Sequence, residues 1–567
     1  MRQEFAHRMD ARASRYRSPL PRAALAMLAA GAVALSACRK GSPDASADAA
    51  ALLDPDGGGE IVAIAVPDGG GGDAGSSPIL HALALITPIM NVPEWAPRDP
   101  SKASDERKIA VRLGYLRKGD TVAVRPQMAK RSNCPQGWYE LLAAPGASRG
   151  TGGGFVCGRD ATLDPDDKEL ALAPHAPNMA GPLPYDYGLN LVDGAPLYRR
   201  PPLRRERKEY ERGLAVGRAY RKKEGDDGAR EAAGSHEDGD TAWYLAHKGR
   251  SQISMDDLKG ETSLIVQRMV KGFYLGLDKE VHAFAGSFWR TTRGMFVAKD
   301  HVLVHDPKVE FEGVWLEAPG ETRHLPLGWI TNPHQWKYTF DDSKMHRHEH
   351  VDRFTIVQLT GKKEVVDDKT YWETADGWWM RAMDGTVTNP GASPKNLAPG
   401  ERWIDVNLGL QSLVAFEGER PVFATIISSG RHDDDPIKDH RTRPGEFRIR
   451  EKHISATMDN DTATDGPYSI EDVPWIMYFD GSTALHGAFW HSRFGHERSH
   501  GCVNMTPHDA HELFGWTGPN MPDGWHGVRA TDTNPGTRVI VHDNGKTAEE
   551  SRDDQGNDPG AKDASPR

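Results

Sequence analysis

From Ile79 to about Gly545 the hydrophobic residues fall into short runs rather than long amphipathic stretches. Pieces such as "VRLGYLRKGDTVAV", "RGMFVAKDHVLVHDP" and "PWIMYFD" are closed by turns rich in Gly, Asp or Asn. Alternation with a period of two puts every second side chain on one face of a strand, so the chain is expected to be mainly β. A single helix is signalled in the C-terminal region. Thr506 is a natural N-cap, Pro507 fits the first helical position, Asp509 suits the first turn, and Ala510, Leu513 and Phe514 supply an apolar face. With 567 residues the chain exceeds one ordinary core, and roughly three to four domains are expected.

The N-terminus reads as an export signal. Arg2, Arg8, Arg12, Arg15, Arg17 and Arg22 precede "AALAMLAAGAVALSAC", an apolar run too short for a comfortable membrane span. Its end, Leu35-Ser36-Ala37-Cys38, resembles the lipobox of bacterial lipoproteins. That resemblance implies a lipoprotein signal segment at 1–38, cleaved so that Cys38 is lipidated and becomes the mature N-terminus, and a membrane partner through the lipid. Arg39 after the cysteine points to the outer membrane, facing the periplasm. Residues 39–78 are Gly-, Asp-, Ala- and Ser-rich and are expected to form a disordered tether. The tail, 546–567, has the same disordered composition.

Residues 79–164 carry "CPQGWYELLA" and "GGGFVCGRDATL" and resemble a bacterial SH3-like barrel. Residues 165–399 are β-rich, and the piece ending in Trp378-Trp379-Met380 suggests a second such module. His346, His348 and His350 alternate along "HRHEHVDRF", and we read them as an exposed polar strand. The basic run from Tyr198 to Lys223 reads as a solvated linker or helix face. The formal net charge of −11 gives no reason to expect a nucleic-acid partner.

Export into an oxidising compartment lets the four cysteines be sorted by role. With Cys38 lipidated, Cys134 and Cys157 can pair within one module, which would stabilise it by roughly 3 kcal/mol. Cys502 is left as a free thiol. It lies in "ALHGAFWHSRFGHERSHGCVNMTPHDAHELF", a stretch with six histidines. A thiol is mostly protonated at neutral pH, so a nucleophilic one needs a base or a positive surrounding. His500 and His486 are within reach once a loop reverses. Backbone N–H groups near the start of the following helix are expected to favour a thiolate and hold an oxyanion.

The segment "HGAFWHSRFGHERSHGCVN" resembles the signature of the L,D-transpeptidase catalytic domain of the YkuD type. The matching positions are His486-Gly487 and Ser499-His500-Gly501-Cys502-Val503-Asn504, and "TRPGEFRI" from Thr442 resembles that family's strand opening, shifted by one residue. The resemblance covers residues 400–545. It implies a β-rich catalytic domain that cross-links peptidoglycan stem peptides, with Cys502 as nucleophile and His486 as general base. It also implies that His500 and Gly501 shape the site, with backbone N–H groups around Gly501 and Cys502 as oxyanion donors, that Asn504 contacts the acyl donor, and that Ser499 steadies the loop. Gly487 and Tyr478 would border the substrate, with Trp490 beside them. No cofactor or metal is required, and His491 and His496 read as polar loop residues. Alternatives at this point are a catalytically inactive wall-binding scaffold, an L,D-carboxypeptidase, and a zinc hydrolase. The last is weakened because His508 and His511 lack the glutamate of His-Glu-x-x-His.

Overall fold

Two β-sheets packed face to face make up the C-terminal region of the chain, and strands from the preceding modules extend one of them. The computed structural model describes residues 60–63, 77–97, 109–142, 153–214, 254–305, 311–316, 318–435, 439–460 and 468–544. Cys38 with its apolar segment, most of the 39–78 stretch and the 546–567 tail lie outside the described residues. The mainly β class read from the sequence is the class observed.

One C-terminal sheet runs in the order Val314–Trp315, Arg420–Ile426, Ser412–Glu417, Arg402–Asn407, Arg538–His542, Gly445–Arg448. Its one parallel pair is Arg402–Asn407 with Arg538–His542. The other sheet carries Glu451–Asn460, Tyr468–Asp480 and Thr483–Gly487 as an antiparallel meander. Thr483–Gly487 then pairs in parallel with Val503–Met505, placing His486 opposite Asn504. Ile404, Val406, Leu413, Phe423, Trp475, Met477, Leu485, Val503, Met505 and Val539 fill the space between the sheets. The signalled helix spans Pro507–Trp516. Thr506 caps it by accepting the Asp509 N–H at 3.1 Å, and Ala510, Leu513 and Phe514 close the core.

Three smaller antiparallel units precede or interrupt this body. The first, residues 77–162, contains the long hairpin Thr121–Arg131 with Cys134–Leu141. Cys134 and Cys157 are disulfide-bonded there, beside the fully buried Trp138. Glu60–Ala63, expected to belong to a structureless tether, instead pairs with Gln127–Lys130 as an extra strand. Its sequence "EIVA" is β-prone, and the far half of the long Thr121–Arg131 strand offers it a free edge. The 165–399 region holds two units: one between Asp186 and His305 around Leu197, Phe273, Leu275 and Val297, the other between Leu327 and Val387 around Ile330, Leu359 and Met380. The histidine strand belongs to the latter, and His346, His348 and His350 are exposed.

The first unit is continuous with the second C-terminal sheet. Its strand Arg112–Leu116 pairs with Gly527–Arg529, which in turn pairs with Glu451–Asn460. The approach is so close that a Cβ on Gly114 would sit 2.1 Å from the Gly527 carbonyl oxygen. Trp525 and Val528 complete the first unit's core. Beneath this seam, Arg117 meets Asp472 at 2.6 Å with both side chains buried. Thr292 Oγ1 and Ser455 Oγ also donate to the Asp472 carboxylate, and Tyr187 Oη donates to the Asp472 carbonyl at 2.5 Å. This cluster joins three regions of the chain.

Candidate active site

Alternation along two neighbouring strands decides which side chains meet. Leu485, Val503 and Met505 face the core between the sheets, so Ala484, His486 and Asn504 face the other way. Cys502, one residue before its strand, packs with Ala484 on that same outer face. Tyr478 stands across from Ala484 on the next strand. The outer face thus brings together Tyr478, His486, Cys502 and Asn504. His486 and Cys502 are diagonal neighbours, a spacing that long side chains bridge.

His486 is oriented by its own strand. His486 is 2% exposed, and its Nδ1 lies 3.0 Å from the Gly487 carbonyl oxygen. A carbonyl only accepts, so Nδ1 carries the proton and Nε2 keeps a free lone pair. Trp490 stacks on the ring at 5.7 Å. Burial, opposed by the bond to Gly487, pulls the imidazole down to about 4, so it is neutral at physiological pH.

Cys502 is half-buried and unpaired. Its thiol makes a long contact of 3.8 Å to the Ser482 carbonyl oxygen, and no hydrogen bond joins it directly to His486. Burial pushes the thiol up to about 11, with the Ala484 backbone opposing. This corrects the expectation of a thiolate favoured by a helix start. Val503–Met505 forms a strand between the cysteine and the helix, and the helix end is capped by Thr506. The resting pair is a neutral thiol beside a neutral imidazole.

The loop before the cysteine is held on both sides. Gly501 has φ +116°, a conformation that favours glycine. Its N–H donates to Ser499 Oγ at 3.2 Å, and Ser499 Oγ–H donates to the Cys502 carbonyl. Ser499 therefore occupies the Gly501 N–H that was expected to hold an oxyanion. Thr442 Oγ1 donates to the Gly501 carbonyl at 3.0 Å and accepts from the Gly430 N–H at 2.9 Å. Ser428 and Asn504 exchange both backbone hydrogen bonds at 2.9 Å. His500 stacks on Tyr468 and meets the edge of His440. At Gly487 the side from which a Cβ would project is closed by Pro474 and Pro507 at 3.1 Å.

Two contributions are not legible in the sequence. Thr442 reads there only as the opening of a strand. His491, which reads as a polar loop residue, is 2.8 Å from the Asn504 amide and packs against Phe494. His496 is half-exposed.

Residues 401–541 match the family described as YkuD, the L,D-transpeptidase catalytic domain, and the C-terminal quarter of the chain is a domain of that type. Among solved structures, the chain is similar to a cysteine-to-serine mutant of the Enterococcus faecium L,D-transpeptidase. Identity is 25%, over 25% of this chain and 50% of that one, with a TM-score of 0.19. It is also similar to the E. faecium catalytic domain acylated by ertapenem, at 27% identity over 26% of this chain and 100% of that one, TM-score 0.19. An L,D-transpeptidase from Stackebrandtia nassauensis is 23% identical over 26% of this chain and 58% of that one, TM-score 0.19. The chain thus spans about half the length of the first of these enzymes. No curated protein matches the chain in sequence.

Proposed function

We propose that the C-terminal domain is a peptidoglycan L,D-transpeptidase working through a Cys502 thioester. The observation that carries this reading is the shared face of His486 and Cys502, with Nδ1 of His486 tied back so that Nε2 is the basic atom. On binding of a tetrapeptide stem, Cys502 passes its proton to His486 Nε2. As that proton moves, the sulfur attacks the carbonyl carbon of the third residue. The tetrahedral oxyanion collapses, the bond to D-alanine breaks, and His486 returns the proton to the departing amine. The side-chain amine of a neighbouring stem attacks the thioester, losing its proton through His486 and freeing the thiol. Dividing one acyl transfer into two easier steps is the gain from a covalent intermediate. Neutral resting partners suit this cycle, since proton transfer is coupled to attack rather than completed beforehand.

Cys38 lipidation, with attachment to the periplasmic face of the outer membrane, belongs to the same proposal. A C38S variant should leave the membrane fraction, and unchanged fractionation would exclude the anchor. The chemistry is tested by intact mass of the purified protein incubated with a tetrapeptide stem, with and without an acceptor amine. A thioester adduct that an amine discharges into a cross-linked product supports the reading. Release of D-alanine without an amine-linked product makes the enzyme an L,D-carboxypeptidase, and no adduct favours the scaffold.

A further inference from the structure

Asn504 sits beside His486, is 3% exposed, and has one end of its amide without a protein partner. A buried amide half-satisfied by protein is costly unless a ligand completes it. The other end faces His491 Nε2 at 2.8 Å. On the far side of that imidazole, the Arg493 backbone N–H points at Nδ1 from 3.3 Å. Neutral imidazole has a single N–H, and burial keeps this one neutral. Because Nδ1 accepts from Arg493, Nε2 must donate. With Asn504 Nδ2 facing Nε2, two N–H groups would be set nose to nose. The two amide ends have the same shape, so the proton count assigns Oδ1 to His491 and leaves Nδ2 as the buried end without a protein partner.

We infer that His491 is a positioning residue that locks the Asn504 amide so that Nδ2 is the end left unpaired beside His486, and that this N–H is taken up by a peptide carbonyl oxygen of the acyl donor beside the one being attacked. The ligand class is an extended peptide backbone, because a neutral amide N–H matches a neutral carbonyl acceptor. Three features hold the lock rigid. The His491 ring lies against Phe494 at 5.1 Å and edge-on to Trp490, and Trp490 itself stacks on His486. Catalytic base and substrate donor are thereby packed against one another through two aromatic rings. The functional side of this inference rests on the transpeptidase reading, whereas the direction of the hydrogen bond does not.

The test uses the full chain labelled with 15N-histidine, with H491A to assign the resonance. Nε2 of His491 should carry the proton, and its signal should shift in N504A. A protonated Nδ1 overturns the inference whatever the enzyme does. In parallel, D-alanine release from a tetrapeptide stem is followed together with iodoacetamide alkylation of Cys502 and thermal unfolding. H491A should lower kcat/KM about tenfold, mainly through KM. Alkylation rate and Tm should stay close to wild type, and H491Q, which keeps a donor, should recover most of the loss. Wild-type kinetics in H491A, or a matching fall in alkylation rate and Tm, overturns the positioning role. A protonated Nε2 in a wild-type protein that releases no D-alanine would remove the transpeptidase reading while keeping the hydrogen bond.

Discussion

The Tyr468–Asp480 strand passes through two buried polar clusters that handle low dielectric in opposite ways. Near one end, Asp472 stays ionised, because Arg117, Thr292 and Ser455 all point at its carboxylate. The Arg117 guanidinium and these hydrogen bonds outweigh burial and hold Asp472 down to about 2. Near the other end, beside Tyr478, no charged group among the described residues shifts Cys502 or His486, and burial holds both neutral. A buried charge persists only where every lone pair is met, and a site that must create charge transiently leaves its groups unmet. The first cluster holds the chain's modules together; the second, on the proposed function, is completed by a substrate.

Disabling the reactive cluster gives the largest effect. C502A should abolish acyl transfer, and H486A should lower it at least ~100-fold, read as D-alanine release, with Tm little changed. Breaking the junction should do the reverse. R117M leaves Asp472 buried and unpaired, a change worth about 3–5 kcal/mol, seen as a lower midpoint in denaturant unfolding of the full chain. If R117M unfolds like wild type, the contrast between the clusters fails.

The disulfide offers a smaller perturbation away from both clusters. Cys134 and Cys157 are 23 residues apart, so C134S with C157S should cost about 3 kcal/mol and leave the thiol chemistry of Cys502 intact. Altered alkylation of Cys502 in that variant would show that the first unit reaches the active site mechanically.

The smallest effect is on pH dependence. Iodoacetamide alkylation of the resting protein should rise with pH toward a midpoint of about 11, whereas a solvent-like thiol would titrate at about 8.5. The sign follows from linkage. With the folded thiol raised, the folded state binds more protons between these values, so stability is retained below about 8.5 and falls as pH climbs toward 11. A midpoint near 8.5 would mean the cysteine is not desolvated.

How much of this the sequence discloses depends on whether local pattern or distant partners set each residue's environment. The Pro507–Trp516 helix is legible because its cap, first-turn proline and apolar face are all local. The outer-face grouping of Tyr478, His486, Cys502 and Asn504 is legible only through resemblance, since the strand register that unites them is not written in any short window. Arg402–Asn407 and Glu451–Asn460 give no clear strand signal. Asp405 and Asn407 interrupt the first, yet both are buried, Asp405 held by His542 at 2.9 Å and by the Gly391 N–H. Lys452 and His453 interrupt the second. Lys452 is 1% exposed and donates to the Phe514 and Thr517 carbonyls that end the helix. Polarity in those strands reports partners far away in the chain. The thiolate expectation fails for a related reason, because a three-residue strand too short to be seen separates the cysteine from the helix.

The pairing of Arg112–Leu116 with Gly527–Arg529 has a consequence for any shortened form of this protein. A fragment beginning near residue 400 would keep the residues of the reactive face but strip the neighbour from Gly527–Arg529. It would present a raw sheet edge, with unanswered N–H and C=O groups flanked by Trp525 and Val528. Such an edge is a template for strands of other molecules, so the fragment should self-associate at concentrations where the full chain stays monodisperse. The first unit is, in this sense, the protecting border of the sheet that carries His486.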